Sequence, residues 1–194
     1  MHASVAERNI RLRTRRTLRF IGISAAVYLV AGAIAALGLW WLPPPRSARE
    51  ALFPPVFVLT SLLLVAGSLA LHRAIGFVRR EEQPAFRRSL WWALAWGVLF
   101  VGLQACGLKW LIDHQHPGEA QTGSNAFLVM MSGVHALHFT VAIWWLLWVL
   151  LSALEDRYDH EYYWGVYACG WFWHALGAVW AVLLAVFLIA ANFQ

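Results

Sequence analysis

Charge is scarce in this chain. Acidic and basic residues together make up 13% of the 194 residues, against roughly 25% in a soluble domain. All ten acidic residues lie between the long apolar runs or at their ends. Intramembrane carboxylates are the usual relay groups of pumps, so their lack argues against a pump acting alone. Cysteine is sparse as well. Cys106 and Cys169 fall in different apolar runs at different depths, which argues against a disulfide between them. A Gly-x-Ser-x-Gly elbow, a His-Glu-x-x-His pair and a phosphate loop are absent, and with them the common hydrolytic and nucleotide-binding readings. No internal repeat of the broken-helix transporter kind is present either.

What the chain has in quantity is apolar surface: 61% hydrophobic residues and 13 tryptophans. The expected fold is all-α, an integral membrane bundle in a single domain over 1–194. Crossing a hydrocarbon core takes roughly 20 helical residues. Five transmembrane helices are expected at about 18–42, 55–77, 90–112, 125–154 and 162–193. Pro43, Pro44 and Pro45 end the first. Pro54 and Pro55 open the second, where proline is tolerated. A polar stretch with Pro117, Gly118 and Gly123 precedes the fourth. The apolar segment after the Arg-rich start is longer than a signal-peptide core of roughly 7–15 residues, so it reads as an uncleaved span.

Twelve of the fifteen basic residues fall on one side of these spans, in the first segment, between spans two and three, and at Arg157. Arg46, Arg49 and Lys109 fall on the other. Basic loops stay inside, so the N-terminus is expected in the cytoplasm and the C-terminus in the periplasm. The basic excess is then a topology signal and a surface for anionic lipid. Nucleic acid is not an expected partner, because no basic-aromatic module lies outside the spans. Trp40, Trp41, Trp91, Trp92, Trp110 and Trp164 fall at interface depths. Trp144, Trp145, Trp171, Trp173 and Trp180 lie deeper, to pack against helices or line lipid grooves. Small residues recur every four positions at Ser132, Ala136 and Thr140, at Gly177, Ala181 and Ala185, and at Ser68 and Gly76 around His72. Such ridges mark close helix contacts.

Two places carry titratable chemistry. His135 and His138 sit mid-depth in span four and His174 mid-depth in span five. Ionisable groups at such depth face inward and find partners, and the last two spans can bring all three imidazoles together. A haem or metal site is one reading. Two of the rings, three residues apart, are crowded for separate cofactors. Hydrogen bonds to neighbouring helices are the plainer reading, with no metal in the chain. The second place is the only acidic cluster, Glu155, Asp156, Asp159, His160 and Glu161. Clustered carboxylates and an imidazole can hold protons near a membrane face; a solvated turn is the alternative.

Ser132-Gly133-Val134-His135-Ala136-Leu137-His138 resembles the Gly-x-His-Gly-Leu-His motif of cytochrome c oxidase subunit III and its quinol-oxidase counterparts. Trp171-Phe172-Trp173-His174, continuing to Trp180, resembles that family's Trp-His-Phe-x-Asp-x-x-Trp motif. The Ser/Leu-rich run 59–72 and the charged turn leading to Gln104 are similar to further family stretches. The resemblance covers roughly 53–193, and five spans match the short bacterial form. Ala136 stands for the motif's glycine and Gly177 for its Asp. Gln104 and Gly107 stand near positions where members carry Glu. Span one lacks a family carboxylate, so roles needing a buried acid are not carried over.

The resemblance implies a non-catalytic subunit III of a haem-copper terminal oxidase in aerobic respiratory electron transport. Such a subunit holds no cofactor of its own, binds phospholipid, and supports assembly and proton uptake. Its implied partners are the catalytic subunit I, which holds haem and copper, the other oxidase subunits and membrane lipids, in the bacterial inner membrane. His135, His138, Trp173, His174 and Trp180 would be its interhelix residues. An accessory subunit-III-like protein of a nitric-oxide reductase is the alternative, and a stand-alone membrane haem or metal protein the distant one.

Overall fold

The computed structural model describes residues 5–41, 56–113 and 123–192. It consists of five helices: α1 (Val5–Trp41), α2 (Val56–Arg79), α3 (Gln83–Asp113), α4 (Gly123–Leu154) and α5 (Trp164–Asn192). No strand occurs among the described residues. Each helix contains a stretch long and apolar enough to cross a membrane, with mean hydropathy from 1.5 to 2.2. The all-α, five-span expectation therefore stands. The proline stops at 43–45 and 54–55, Pro117 and Gly118 lie outside the described residues.

Helix ends move outward where polar sequence is still helix-competent. α1 starts at Val5 rather than near 18, taking the Arg-rich segment into the helix. α3 starts at Gln83 rather than 90, with Pro84 in its first turn. Gly123, expected in a loop, opens α4.

α3 is the hub, packed against α1, α2 and α4, while α5 closes the other side by packing on α2 and α4. Burial follows this order. The apolar windows of α3 and α4 are 56% buried, that of α1 only 11%. α1 presents Leu18, Ile21, Leu29 and Leu37 outward. It still approaches α3 closely: a Cβ on Gly102 would meet the Ala31 carbonyl oxygen at 2.7 Å.

The tryptophans divide. Trp40, Trp41, Trp91, Trp92 and Trp164 are exposed as interface residues should be. Trp110 is an exception to that expectation, buried in the bundle at the far end of α3. Trp173 and Trp180 are fully buried, whereas Trp144 and Trp171 face out. Both described cysteines are buried and free.

Candidate functional site

The indole of Trp173 on α5 lies where α2, α3 and α4 meet. A Cβ on Gly67 of α2 would fall 2.7 Å from Trp173 Cζ2. One on Gly97 of α3 would fall 2.8 Å from its Cη2 and 2.5 Å from Ile143 Cδ1 of α4. Only glycine leaves room at both positions, and small residues let helices approach in lipid. Phe139 of α4 meets the same indole edge-on, with ring centroids 4.9 Å apart. One side chain thus joins four helices.

Trp180 lies two turns further along α5. Its Nε1 donates to Ser61 Oγ at 2.9 Å, and that hydroxyl donates to the Phe57 carbonyl at 2.8 Å. Phe57 sits edge-on to the indole at 5.3 Å. On another side the ring of His135 stacks on Trp180, with centroids 5.9 Å apart and planes at 19°. Neither nitrogen of the buried His135 ring has a hydrogen-bond partner among the described residues, and the same holds for Gln104 Oε1 and Ser132 Oγ. Phe100 of α3 touches Phe139 of α4, centroids 4.3 Å apart. These helices are sequential spans and run antiparallel. One turn on along α3 and one turn back along α4 therefore place Gln104 and His135 on the contacting faces at one level.

The other two imidazoles go elsewhere. His174 Nδ1 hydrogen-bonds Ser68 Oγ of α2 at 2.9 Å, at the bundle surface. His138 Nδ1 donates to the Val134 carbonyl of its own helix at 2.8 Å and is exposed. The three rings do not gather. No group of three or more His, Cys, Asp or Glu among the described residues could hold a metal. The reason is angular. At about 100° per residue, His138 points about 60° away from His135, and His174 about 120° away from Trp180. His135 does find its partner on α5, but that partner is Trp180.

Gly67, Gly97 and Ser61 were not singled out in the sequence. The signal that could have found them is the motif itself: a large buried indole needs a small residue opposite it. The ridge expected at Gly177, Ala181 and Ala185 is a contact only at Gly177, whose Cβ would meet Leu64 at 3.6 Å; the two alanines face out.

The acidic cluster is at the end of the bundle that carries the basic residues. α2 and α4 both end with a carboxylate in the left-handed region, Glu81 at φ 60° and Asp156 at φ 53°. Each end closes the same way. Glu82 N–H donates to the Phe77 carbonyl and Arg157 N–H to the Ser152 carbonyl, so both are Schellman-type caps. Glycine is the usual residue at the left-handed position. Here Glu81 instead pairs with His160, and Asp156 with Arg87 of α3. Arg16 of α1 donates to Ser152 Oγ at 2.7 Å, lies 3.7 Å from Glu155, and covers the Trp148 ring at 4.1 Å. Gln83 Nε2 donates to the Tyr158 carbonyl at 2.8 Å. Asp159 accepts from the N–H groups of Glu161 and Tyr162. Burial pushes the Tyr158 phenol above its ordinary pKa, opposed by its hydrogen bond to Ser152.

No family model matches the chain. Curated proteins do. A cytochrome c oxidase subunit 3 of Thermostichus vulcanus is 26% identical over 178 residues, 91% of this chain and 83% of the relative. The protein of that name from Synechocystis sp. is 25% identical over 89% of this chain and 76% of its own length. The one from Spodoptera frugiperda is 24% identical over 72% of this chain and 92% of its own. The likeness read from two histidine motifs therefore extends over the chain: this multi-pass membrane protein is a homologue, across most of its length, of the proteins named cytochrome c oxidase subunit 3.

Proposed function

We propose that the chain serves as subunit III of a haem-copper terminal oxidase, a non-catalytic subunit that packs against the catalytic subunit I. The observation that carries this reading is the coincidence of sequence likeness with packing. The similarity spans 91% of the chain, and four side chains of the two histidine motifs join helices, while His138 bonds its own helix. Trp173 fills the four-helix junction, Trp180 bonds Ser61, His135 stacks on Trp180, and His174 bonds Ser68. In this reading haem and copper belong to the partner subunit, and phospholipid covers the apolar flanks. The chain supports assembly and proton uptake during aerobic respiratory electron transport. Its place is the bacterial inner membrane, with the basic end in the cytoplasm and the C-terminus in the periplasm.

Affinity purification of the tagged chain from native membranes tests the assignment. Co-purification with a haem-copper subunit, and no Soret band from the chain alone, is the expected result. Co-purification with nitric-oxide reductase subunits instead would move the chain to that complex. Stoichiometric haem in the isolated chain, lost in His135→Phe, would overturn the cofactor-free reading. Orientation is tested by Arg80→Cys with a membrane-impermeant thiol reagent, against buried native cysteines. Labelling from outside intact cells would reverse the topology.

A further inference from the structure

The outer surface of the α2–α3 hairpin carries a cavity of about 360 Å³ that neither histidine motif touches. Arg73, Ser89, Ala70, Trp92, Ala66 and Trp96 line it. The two helices pair antiparallel about the turn at Glu81, so these residues fall at three successive levels. Arg73 lies opposite Ser89, Ala70 opposite Trp92, and Ala66 opposite Trp96. At about 1.5 Å per residue, the first level lies roughly 9 Å into the helices from the basic end. The last lies roughly 10 Å deeper. The cavity is therefore a slot along the bundle axis, polar at the basic end and apolar toward the middle of the span.

Its walls are built for a long, thin occupant. Alanines on α2 leave the depth, and Trp92 and Trp96 form one continuous wall, stacked with centroids 5.8 Å apart and planes at 22°. At the mouth, Arg73 has no hydrogen bond or ion pair with any described residue. Of the two carboxylates in the nearby turn, Glu81 is paired with His160 and Glu82 forms no ion pair with Arg73. A guanidinium at headgroup depth without a carboxylate calls for an anion, and a guanidinium fits a phosphate with paired N–H donors.

We propose that this slot binds one anionic phospholipid. Its phosphate is held by Arg73 and Ser89, and one acyl chain lies along Trp92 and Trp96 toward Ala66. The polar-to-apolar order of the slot matches a lipid of the leaflet on the basic side. A quinone, whose headgroup is uncharged, leaves the guanidinium uncompensated. The inference specifies the lipid-binding part of the function proposed above, from which it takes only the membrane setting. It is measured on the whole chain alone, so its failure is separate from failure to co-purify with an oxidase.

The test uses the full chain in phosphatidylcholine nanodiscs containing a few per cent phosphatidylglycerol, with retained lipids counted by native mass spectrometry. Wild type is expected to retain one more phosphatidylglycerol than Arg73→Gln, with apparent affinity about five- to ten-fold higher. Ser89→Ala should weaken retention by less. Lys109→Gln, at the other end of α3, should bind as wild type does. Arg73 is exposed at the bundle surface, so its replacement leaves the helix packing in place. Equal retention by wild type and Arg73→Gln would overturn the proposal. So would retention of phosphatidylcholine as tight as phosphatidylglycerol, or displacement of the lipid by a short-chain ubiquinone.

Discussion

At the centre of the bundle, Trp173 and Trp180 hold α5 to its neighbours through ring contacts and one indole hydrogen bond. At the basic end, Arg16, Arg87 and His160 hold three chain segments through carboxylates. The difference lies in what each can lose. Lipid is as apolar as the core, so helices associate through packing and interhelical hydrogen bonds. A misfit at the centre therefore removes the force that assembles the bundle. The carboxylates at the basic end are partly exposed, Asp156 at 72% and Glu81 at 63%. Exposed pairs are worth roughly 0–1 kcal/mol each. The centre should fail steeply under single substitutions, the basic end gradually.

Trp173→Ala should have the largest effect, since emptying a buried indole site costs about 3–5 kcal/mol. Trp171→Ala, on a side chain that faces out, should stay within about 0.5 kcal/mol in the isolated chain. Thermal unfolding in detergent, read by a thiol-reactive dye at the buried Cys106 and Cys169, measures both. Equal losses would erase the distinction between inward and outward tryptophans. Gly97→Ala comes next. Its added methyl meets Ile143 and Trp173 and should cost about 1–3 kcal/mol. Gly76→Ala has nothing within 4 Å and should be neutral or slightly stabilising, since glycine in a helix costs about 0.5–1 kcal/mol relative to alanine. Adding Ile143→Val to Gly97→Ala removes the nearer clash and should recover part of the loss.

These two positions show what was legible in the sequence. The five spans follow from long apolar runs with few charges, so length and hydropathy are enough to expect five membrane-crossing helices. The ends moved because Arg8 to Arg19 and Gln83 to Ser89 can stay helical in water, and hydropathy does not see helices outside the hydrocarbon. The importance of Trp173 and His135 was legible from the motifs. Their partners were not. A motif fixes neither the azimuth of a helix nor the residue opposite it, so His135 was matched to His174 when the stacking partner is Trp180. The glycines opposite Trp173 left no sequence signal beyond being small. The acidic cluster read as a proton-holding group or a solvated turn, and its pairing with Arg16, Arg87 and Glu81, 69 or more residues away along the chain, left no mark in the sequence.

The basic end allows a finer separation of backbone from charge. Asp156→Ala loses the Arg87 pair and puts a Cβ residue without a polar side chain in the left-handed region, which costs about 1–2 kcal/mol. Asp156→Gly loses the same pair but removes the backbone strain. The glycine variant should therefore be the more stable by about 1 kcal/mol, in the same unfolding measurement. If alanine and glycine destabilise equally, the ion pair rather than the backbone holds this turn.

The smallest structural effect belongs to Glu161, and that makes it the right place to ask whether the cluster collects protons. Glu155, Asp156 and Asp159 each hold something: two arginines, α3, and the turn amides. Neutralising all four carboxylates together would loosen the bundle end as well as change its charge. Among the described residues the Glu161 side chain pairs with His160 alone, at 3.8 Å, and it is 81% exposed. Glu161→Gln should change stability by less than about 0.5 kcal/mol and leave assembly intact. In the assembled oxidase, turnover should then fall above neutral pH, where protons are scarce, and stay unchanged below it if exposed carboxylates at this end supply protons. Wild-type turnover at every pH would show that Glu161 collects none. The same profile from Glu161→Gln combined with His160→Gln, at normal assembly, would leave the loop with the holding role its ion pairs already give it.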